Sequence, residues 1–412
     1  MPSTPKRVAM VSMHTSPTAT AGSGDAGGMN VSILATAKGL AARGVRVDLL
    51  TRASGPPRVA EVAERITLRE LAAGPAAVLP KRVLPTVADE FGEAVAALAR
   101  GADGGYDLIH AHYWLSGLAT LPVAIEQGVP LVQSFHTLAA MKNRVLAPGQ
   151  EAEPEARVRS EMYLANQAAA IVAGSAAEVT SLIDDVRASA ERIWVIPPGV
   201  DVELFRPDRA VRGAERRMRG KLRLAGDRPV IVVAARIQPL KDQALAIRAF
   251  AEVHALRGWD PVLVLAGAET PGDEEYGRML RSLAVSLGVS DDVRFVGALS
   301  RGDLADLFAM ASLTLVPSHS ETFGLVALES AASGTPVIGY RGGGLVEAIA
   351  DGASGVLVDS RDPGEWASVI ALLLSDPVQL ERLQFSARHH ALGFTWGATA
   401  TALLGVYSAL VS

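Results

Sequence analysis

Short apolar runs alternate with helical patterns along the whole chain, and this alternation restricts the fold more than any other feature. Parallel strands need crossover connections, so a βαβα order points to parallel sheets covered by helices on both faces. In the first half, strands are expected at 7–13 (RVAMVSM), 45–51 (VRVDLLT), 106–112 (YDLIHAH), 130–135 (PLVQSF), 170–175 (AIVAGS) and 193–199 (IWVIPPG). Most are apolar on both faces, as doubly covered strands should be. Residues 30–44 (NVSILATAKGLAARG) read as a helix, with apolar positions three and four apart and a closing glycine. From Pro197 to Pro229 no strand is readable, and a second alternating set follows at 230–236, 261–267, 292–297, 313–318, 336–341 and 355–360. The pattern predicts an α/β protein of two doubly wound, Rossmann-like domains, residues 1–198 and 199–394, facing each other across a cleft with a hinge near Pro197–Asp201. A helical pattern from Thr395 to Leu410 is expected to pack back on the first domain, so 395–412 is assigned to it.

Size and composition agree with two cores. A chain of 412 residues with 49% apolar content exceeds one ordinary domain. No apolar run approaches the roughly 18 residues that span a bilayer. The start, with Lys6-Arg7 before a short strand, is unlike a signal peptide. Zero cysteines exclude disulfides, thiolate metal sites and a cysteine nucleophile, and a net charge of −5 gives no nucleic-acid footprint. The expectation is a cytoplasmic enzyme without a transmembrane segment, compatible with a homodimer.

The richest segment is 317–336, PSHSETFGLVALESAASGTP, which places Glu321 before a short apolar helix and Glu329 inside it. Carboxylates just beyond the end of a buried strand lie where open α/β sheets bind ligands, and they accept hydrogen bonds from sugar or ribose hydroxyls. The plainer alternative makes Glu321 a helix-terminal charge and Glu329 a solvated one. Arg236 and Lys241 follow the first strand of the second domain, before a helix beginning near Asp242. Cations are disfavoured at a helix N-terminus, so the pair suits a bound diphosphate. Gly22-x-Gly24-x-x-Gly27 precedes the first helix and offers backbone amides to phosphate. It also spells a dinucleotide fingerprint, but about nine residues separate it from the strand and the second strand ends in Thr51-Arg52 rather than an acid, so a dehydrogenase reading fits poorly. His110, His112 and Tyr113 end one strand, and His136 and Thr137 another, offering neutral donors without metal-ligand spacing. Gly342–Gly344 reads equally as a second phosphate nest or as a tight strand-to-helix turn. The basic stretch Arg206–Arg223 suits a solvated helix better than a membrane surface. No Asp-x-Asp occurs, so no carboxylate cradle for a metal-bound nucleotide is present.

Together these segments resemble the retaining glycosyltransferases of the GT4 family, of GT-B fold, and are most similar to the D-inositol-3-phosphate glycosyltransferases of mycothiol biosynthesis. The resemblance covers nearly the whole chain and is carried by MHTSP with GSGDAGGMN, HYWLSG at 112–117, FHTLAAMKN at 135–143, RIQPLK at 236–241 and ETFGLVALE at 321–329. It implies that the second domain holds a nucleotide sugar: Arg236 and Lys241 on the diphosphate, Glu329 on the ribose, Glu321 on the transferred sugar, with Gly324 and Leu325 beside them. It places Gly27 and Gly28 against the diphosphate from the opposite domain and His136 on the sugar. It assigns an inositol-phosphate acceptor to Asn30, Lys81, Tyr113, Thr137 and Arg157. The implied catalytic set is Arg236, Lys241, Glu321 and His136, with a nucleotide sugar as co-substrate, no further cofactor and no catalytic metal. Departures from the usual subfamily pattern occur at Gly74-Pro-Ala-Ala-Val, at Gly267–Gly272, at Gly342–Gly344 and at Asp242. They leave open a relative acting on another nucleotide sugar, linked to GDP or dTDP, with an aminocyclitol or small-thiol acceptor. An epimerase of the same fold or a non-catalytic sugar-nucleotide binder are further alternatives.

Overall fold

A computed structural model describes residues 4–22, 24–101, 104–147, 150–209, 213, 215–224, 226–256, 260–270 and 272–411. Ser23 of the glycine-rich loop, Arg212 of the basic stretch and Pro271 lie outside them. The first sheet contains β1 (Arg7–Val11), β2 (Arg46–Arg52), β3 (Arg58–Ala63), β4 (Ile66–Leu71), β5 (Leu108–His112), β6 (Leu131–Ser134), β7 (Ala170–Ala173) and β8 (Ile193–Val195). Its order is β3-β4-β2-β1-β5-β6-β7-β8, and every pairing is parallel except that of β3 with β4. The second sheet contains β9 (Val230–Ala234), β10 (Val262–Ala266), β11 (Val293–Gly297), β12 (Leu313–Val316), β13 (Val337–Tyr340) and β14 (Gly355–Val358). It is parallel throughout, in the order β11-β10-β9-β12-β13-β14.

The central strands are the doubly apolar runs of the sequence, and their side chains divide between two apolar layers per sheet. In β1, Val8 and Met10 face one layer and Ala9 and Val11 the other. The period of two along a strand covered on both faces produces this division. The hairpin β3–β4 was not expected. Its outer strand is largely exposed, and RVAEVA mixes charge with small apolar residues as an edge strand does. Such a strand lacks the continuous apolar signal by which the others are recognised.

In each sheet the strand order reverses beside one strand: β1 lies between β2 and β5, and β9 between β10 and β12. The C-terminal end of such a strand opens a crevice where ligands bind in doubly wound sheets. The loop 12–27 leaves β1, and Arg236 and Lys241 follow β9.

The chain passes between the halves twice, and the passages run side by side. Val200 bridges Thr395, and the Val200 amide donates to the Phe394 carbonyl at 2.9 Å. The last helix, Trp396–Leu410, lies on the helix Gly28–Ala41. Arg43 donates to the Gly397 carbonyl and the Thr401 hydroxyl, and Leu403, Val406 and Tyr407 complete the layer around Ile33 and Leu40. We propose that the chain divides at 198/199, with 395–412 belonging to the first half.

Backbone meets backbone at this crossing. A Cβ on Gly199 would fall 2.3 Å from the Trp396 nitrogen and 2.5 Å from the Thr395 carbonyl carbon, atoms that no rotamer can move. Gly199→Ala is therefore expected to destabilise the protein by about 1–3 kcal/mol, seen as a lower thermal unfolding midpoint, whereas alanine at Gly220, with no contact within 4 Å among the described residues, should not.

Candidate active site

The two crevices face one another across a cavity of about 420 Å³ lined by loops from both halves. This is within the range of cofactor-sized pockets. Five cationic side chains line it (Lys81, Lys142, Arg236, Lys241 and Arg301) against four carboxyls (Asp25, Glu178, Glu321 and Glu329).

From the second half, Lys241 ends a short turn, Pro239–Lys241, and its Nζ lies 2.5 Å from Glu321 Oε1. The Ser318 hydroxyl donates to the same oxygen at 2.8 Å. Asp242 adopts φ +45° and caps the helix Gln243–His254 through the Leu245 amide. Its carboxylate takes Arg361 at 3.0 Å, and Arg361 also donates to the carbonyls of Pro317 and Ser318. The acid that departs from the subfamily pattern thus ties the lysine turn to the strand end that carries Glu321. Glu329 lies in the helix Leu325–Ala332, is 6% exposed, and pairs with Arg301, whose guanidinium also covers the Phe205 ring. Burial pushes the Glu329 carboxyl up and Arg301 opposes the shift. Glu329 is therefore no solvated charge. Arg301 was missed in the sequence, although a cation opening the helix Arg301–Met310 carries the same sign anomaly that marked Arg236 and Lys241.

Gly324 has φ +100°, and a Cβ there would meet Leu345 at 2.6 Å. Gly343 and Gly344 press against the same loop: the Gly344 amide donates to the Glu321 carbonyl at 2.8 Å. Of the two readings of Gly342–Gly344, the structure contains the tight turn.

From the first half, Gly28 approaches Leu325 so closely that a Cβ would stand 3.0 Å from its Cδ1. Gly27 lines the cavity, but Asn30 does not. The Asn30 amide holds the loop, accepting from the Gly27 N–H at 2.9 Å and donating to Thr15 Oγ1 and the Ser16 carbonyl. Arg236 reaches across to within 3.5 Å of Asp25, which also faces Lys81 at 3.5 Å.

Tyr113 and His136 hold left-handed backbones, φ +74° and +60°, at the ends of β5 and β6. Strain of this kind gathers at functional sites. Arg157 covers the Tyr113 ring, with Lys81 also near it. Arg157 itself is 3% exposed and stands behind the wall. It donates to Glu161 at 2.7 Å and to the Thr137 carbonyl and hydroxyl, and it pairs with Glu153 at 2.9 Å. Lys81, Tyr113 and Thr137 line the cavity with Arg157 behind Thr137 and Tyr113, whereas Asn30 holds Thr15, Ser16 and Gly27 instead.

Three histidines form a row. His110 bonds Tyr407 and Ser134, and the His112 and His136 rings stack with 2.9 Å between Nδ1 and Nε2. Burial lowers all three, His110 to about 3 and His136 to about 4. His14, also unselected from the sequence, packs at a tilt against the Tyr113 ring, and its buried Nδ1 has no hydrogen-bond partner among the described residues. Burial and then Lys81, His136, Arg157 and Arg236 hold it well below the usual range. Among the described residues, a metal-compatible cluster occurs at His254, Asp260 and Asp292. It lies by the N-terminal ends of β10 and β11, away from the cavity, and Arg228 already pairs with both carboxylates. No helix among the described residues is long and apolar enough to cross a membrane.

Two sheets, parallel but for the β3–β4 hairpin, meet at their switch points across a cavity lined by paired cations and carboxylates, and the similarities that follow make this a GT-B glycosyltransferase that uses a nucleotide-sugar donor. Residues 26–204 match the family described as Glycosyltransferase Family 4, and residues 214–390 match Glycosyl transferases group 1. The chain is 43% identical over 411 residues to the D-inositol 3-phosphate glycosyltransferase of Thermobifida fusca, covering 98% of this chain and 93% of that one. It is 42% identical to that of Nocardia farcinica, covering 98% and 90%. Its fold matches a sucrose-phosphate synthase of Thermosynechococcus elongatus with TM-score 0.90 and 30% identity, over 98% and 99% of the two chains. It also matches Anabaena HepE in complex with UDP-glucose, with TM-score 0.76 and 22% identity over 98% and 100%, a likeness of fold. The chain belongs to the GT4 family of retaining glycosyltransferases.

The depressed histidines fix a pH dependence. The ordinary histidine value is 6.5, so between 6.5 and about 4 the unfolded chain binds a proton that native His136 refuses, and His110 extends the range to about 3. Above pH 6.5 the rings are neutral in both states, and as pH falls from 6.5 towards the native values the unfolded chain takes up protons that the native rings do not, so stability declines across that window. Thermal unfolding followed from pH 7.5 to about 4.5 should show a falling midpoint with proton uptake, and His110→Asn should shrink that slope.

Proposed function

We propose that this enzyme, working in the cytoplasm, transfers N-acetylglucosamine from UDP-N-acetylglucosamine to 1D-myo-inositol 3-phosphate with retention at the anomeric carbon. The carrying observation is that one cavity gathers Lys81, Tyr113 and Thr137, backed by Arg157, with Arg236, Lys241, Glu321 and Glu329, and that Asp25 links Lys81 to Arg236. The near full-length relatives named as D-inositol 3-phosphate glycosyltransferases support the same acceptor.

In this reading Arg236 and Lys241 hold the diphosphate, with Gly27 and Gly28 close to it from the other half. Glu329 accepts the ribose hydroxyls, Glu321 and the Gly324–Leu325 turn receive the sugar, and His136 contacts it as a neutral imidazole. The acceptor hydroxyl attacks the anomeric carbon on the face the diphosphate leaves, and its proton passes to the departing phosphate oxygen. A double displacement needs an anionic carboxylate free at the reacting face. Glu321 is tied to Lys241 and Ser318, Glu329 to Arg301, and Asp25 lies between Lys81 and Arg236. Glu178, fully enclosed beside the cavity, is pushed by burial up to about 7. These attachments favour front-face departure, in which positioning and charge neutralisation carry the rate. No metal has a place in the step, and the enzyme needs no cofactor beyond its donor; a homodimer is compatible with this reading.

A second reading keeps the reaction and changes the substrates to another nucleotide sugar and an aminocyclitol or small thiol. It is favoured by the surroundings of the expected acceptor residues, where Asp25, Glu153 and Glu161 already pair with Lys81, Lys142 and Arg157. Incubation of the purified protein with UDP-N-acetylglucosamine and inositol 3-phosphate decides between them. UDP release that requires that acceptor is the expected result, and release only with an amino or thiol acceptor, or with GDP- or dTDP-sugars, moves the assignment to the second reading. Under the productive pair, Lys241→Ala should lower kcat by about 100- to 1,000-fold while leaving the unfolding midpoint within a few degrees.

A further inference from the structure

Thr322 follows the sugar-side Glu321 directly and uses both of its polar groups across the cavity. Its hydroxyl donates to the carbonyl of His136 at 2.5 Å. Its own carbonyl accepts the Ser175 hydroxyl at 2.6 Å. One residue later in the first half, the Ala176 amide donates to Glu347 Oε1 at 2.6 Å. These bonds join sequence separations of 147 to 186 residues, so they link the two halves and nothing local. Both ends of the arrangement are stiff. His136 stands at φ +60°, and its ring is stacked on His112. Ser175 is fully buried, opens the helix Ala176–Asp184 and accepts the Glu178 amide, while Glu178 takes the Gly174 N–H at 2.8 Å. On the opposite wall, Thr322 is fixed by its neighbours, since the Gly344 amide holds the Glu321 carbonyl.

We propose that Thr322 is a positioning residue that couples closure of the cleft to the placement of His136 and Glu321, clasping the first half at His136 with its hydroxyl and at Ser175 with its carbonyl. When the halves separate, these three bonds break along with the other contacts across the cleft, such as Arg236 with Asp25, and the strained His136 turn loses the donor that fixes its carbonyl. When they close, the sugar-side histidine and glutamate are set relative to one another and bulk water is shut out of the space between them. Valine keeps the shape of threonine and removes the donor, and serine restores the donor without the methyl group.

Two arms test this in the full-length protein, with thermal midpoints confirming that each variant is folded. The first needs no substrate: hydrogen exchange in ligand-free protein should be faster in Thr322→Val than in wild type over the segments 134–138 and 174–178, with Thr322→Ser close to wild type. The second rests on the substrate reading above and uses UDP-N-acetylglucosamine with inositol 3-phosphate. Thr322→Val should lower kcat about tenfold, move the donor KM less than about twofold, and raise the share of donor lost to water, with Thr322→Ser restoring most of the transfer. Wild-type protein inactive with this pair sinks the substrate assignment and leaves the exchange arm to decide the clasp. Unchanged exchange in Thr322→Val, or a serine variant as impaired as valine, overturns the clasp.

Discussion

The loop Glu321–Gly324 is held in a space that admits no added atom, and the arrangement of the cleft depends on that confinement. Beneath it, a Cβ at Gly343 would fall 2.3 Å from the Glu321 carbonyl oxygen, and one at Gly344 would fall 2.1 Å from that of Thr322. Above it, Leu325 touches Gly28 from the other half. A rigid loop lets a carboxylate be delivered by backbone geometry, with little conformational freedom left to lose on binding. The same confinement explains why glycines surround the site and why the segment reads so distinctly.

In the ligand-free cleft most of the charged side chains are paired. Lys241 holds Glu321, Arg301 holds Glu329, and Asp25 stands between Arg236 and Lys81. On the proposed reading, a diphosphate arriving there would meet cations already fixed by carboxylates, so little reorganisation would accompany binding. The carboxylates, freed in part from their cations, would then face the hydroxyls of the same ligand. On that reading each internal pair stands in for a contact with the donor, which is how electrostatic preorganisation is built without leaving bare charge in a buried space.

Much of this was readable from the chain. Apolar runs, most of them apolar on both faces, marked the strands of both sheets other than β3 and β4, and the misplaced sign of Arg236 and Lys241 singled out two cations that line the cavity. The edge hairpin was hidden because β3 mixes charge with small apolar residues and so lacks a continuous apolar run. Partners far apart in sequence were hidden for another reason. Arg301 and Glu329 meet through two different helices, and Asn30 and Arg157 act from behind the wall through bonds that only tertiary placement creates. Asp242, which looked like a departure from pattern, turns out to cap a helix and hold Arg361. Spacing reveals local geometry; it does not reveal which distant side chain answers a buried charge.

The return of the last helix to the first half bears on how the protein is made. Ile33, Leu40 and Leu49 share their apolar layer with Leu403, Val406 and Tyr407. A ribosome emits that helix only after the whole second sheet. The earlier half must therefore wait with one flank uncovered while some two hundred further residues are synthesised. Its completion is a late, long-range docking event, and the buried Tyr407–His110 bond, joining the final helix to the row of histidines beside the cavity, forms only then.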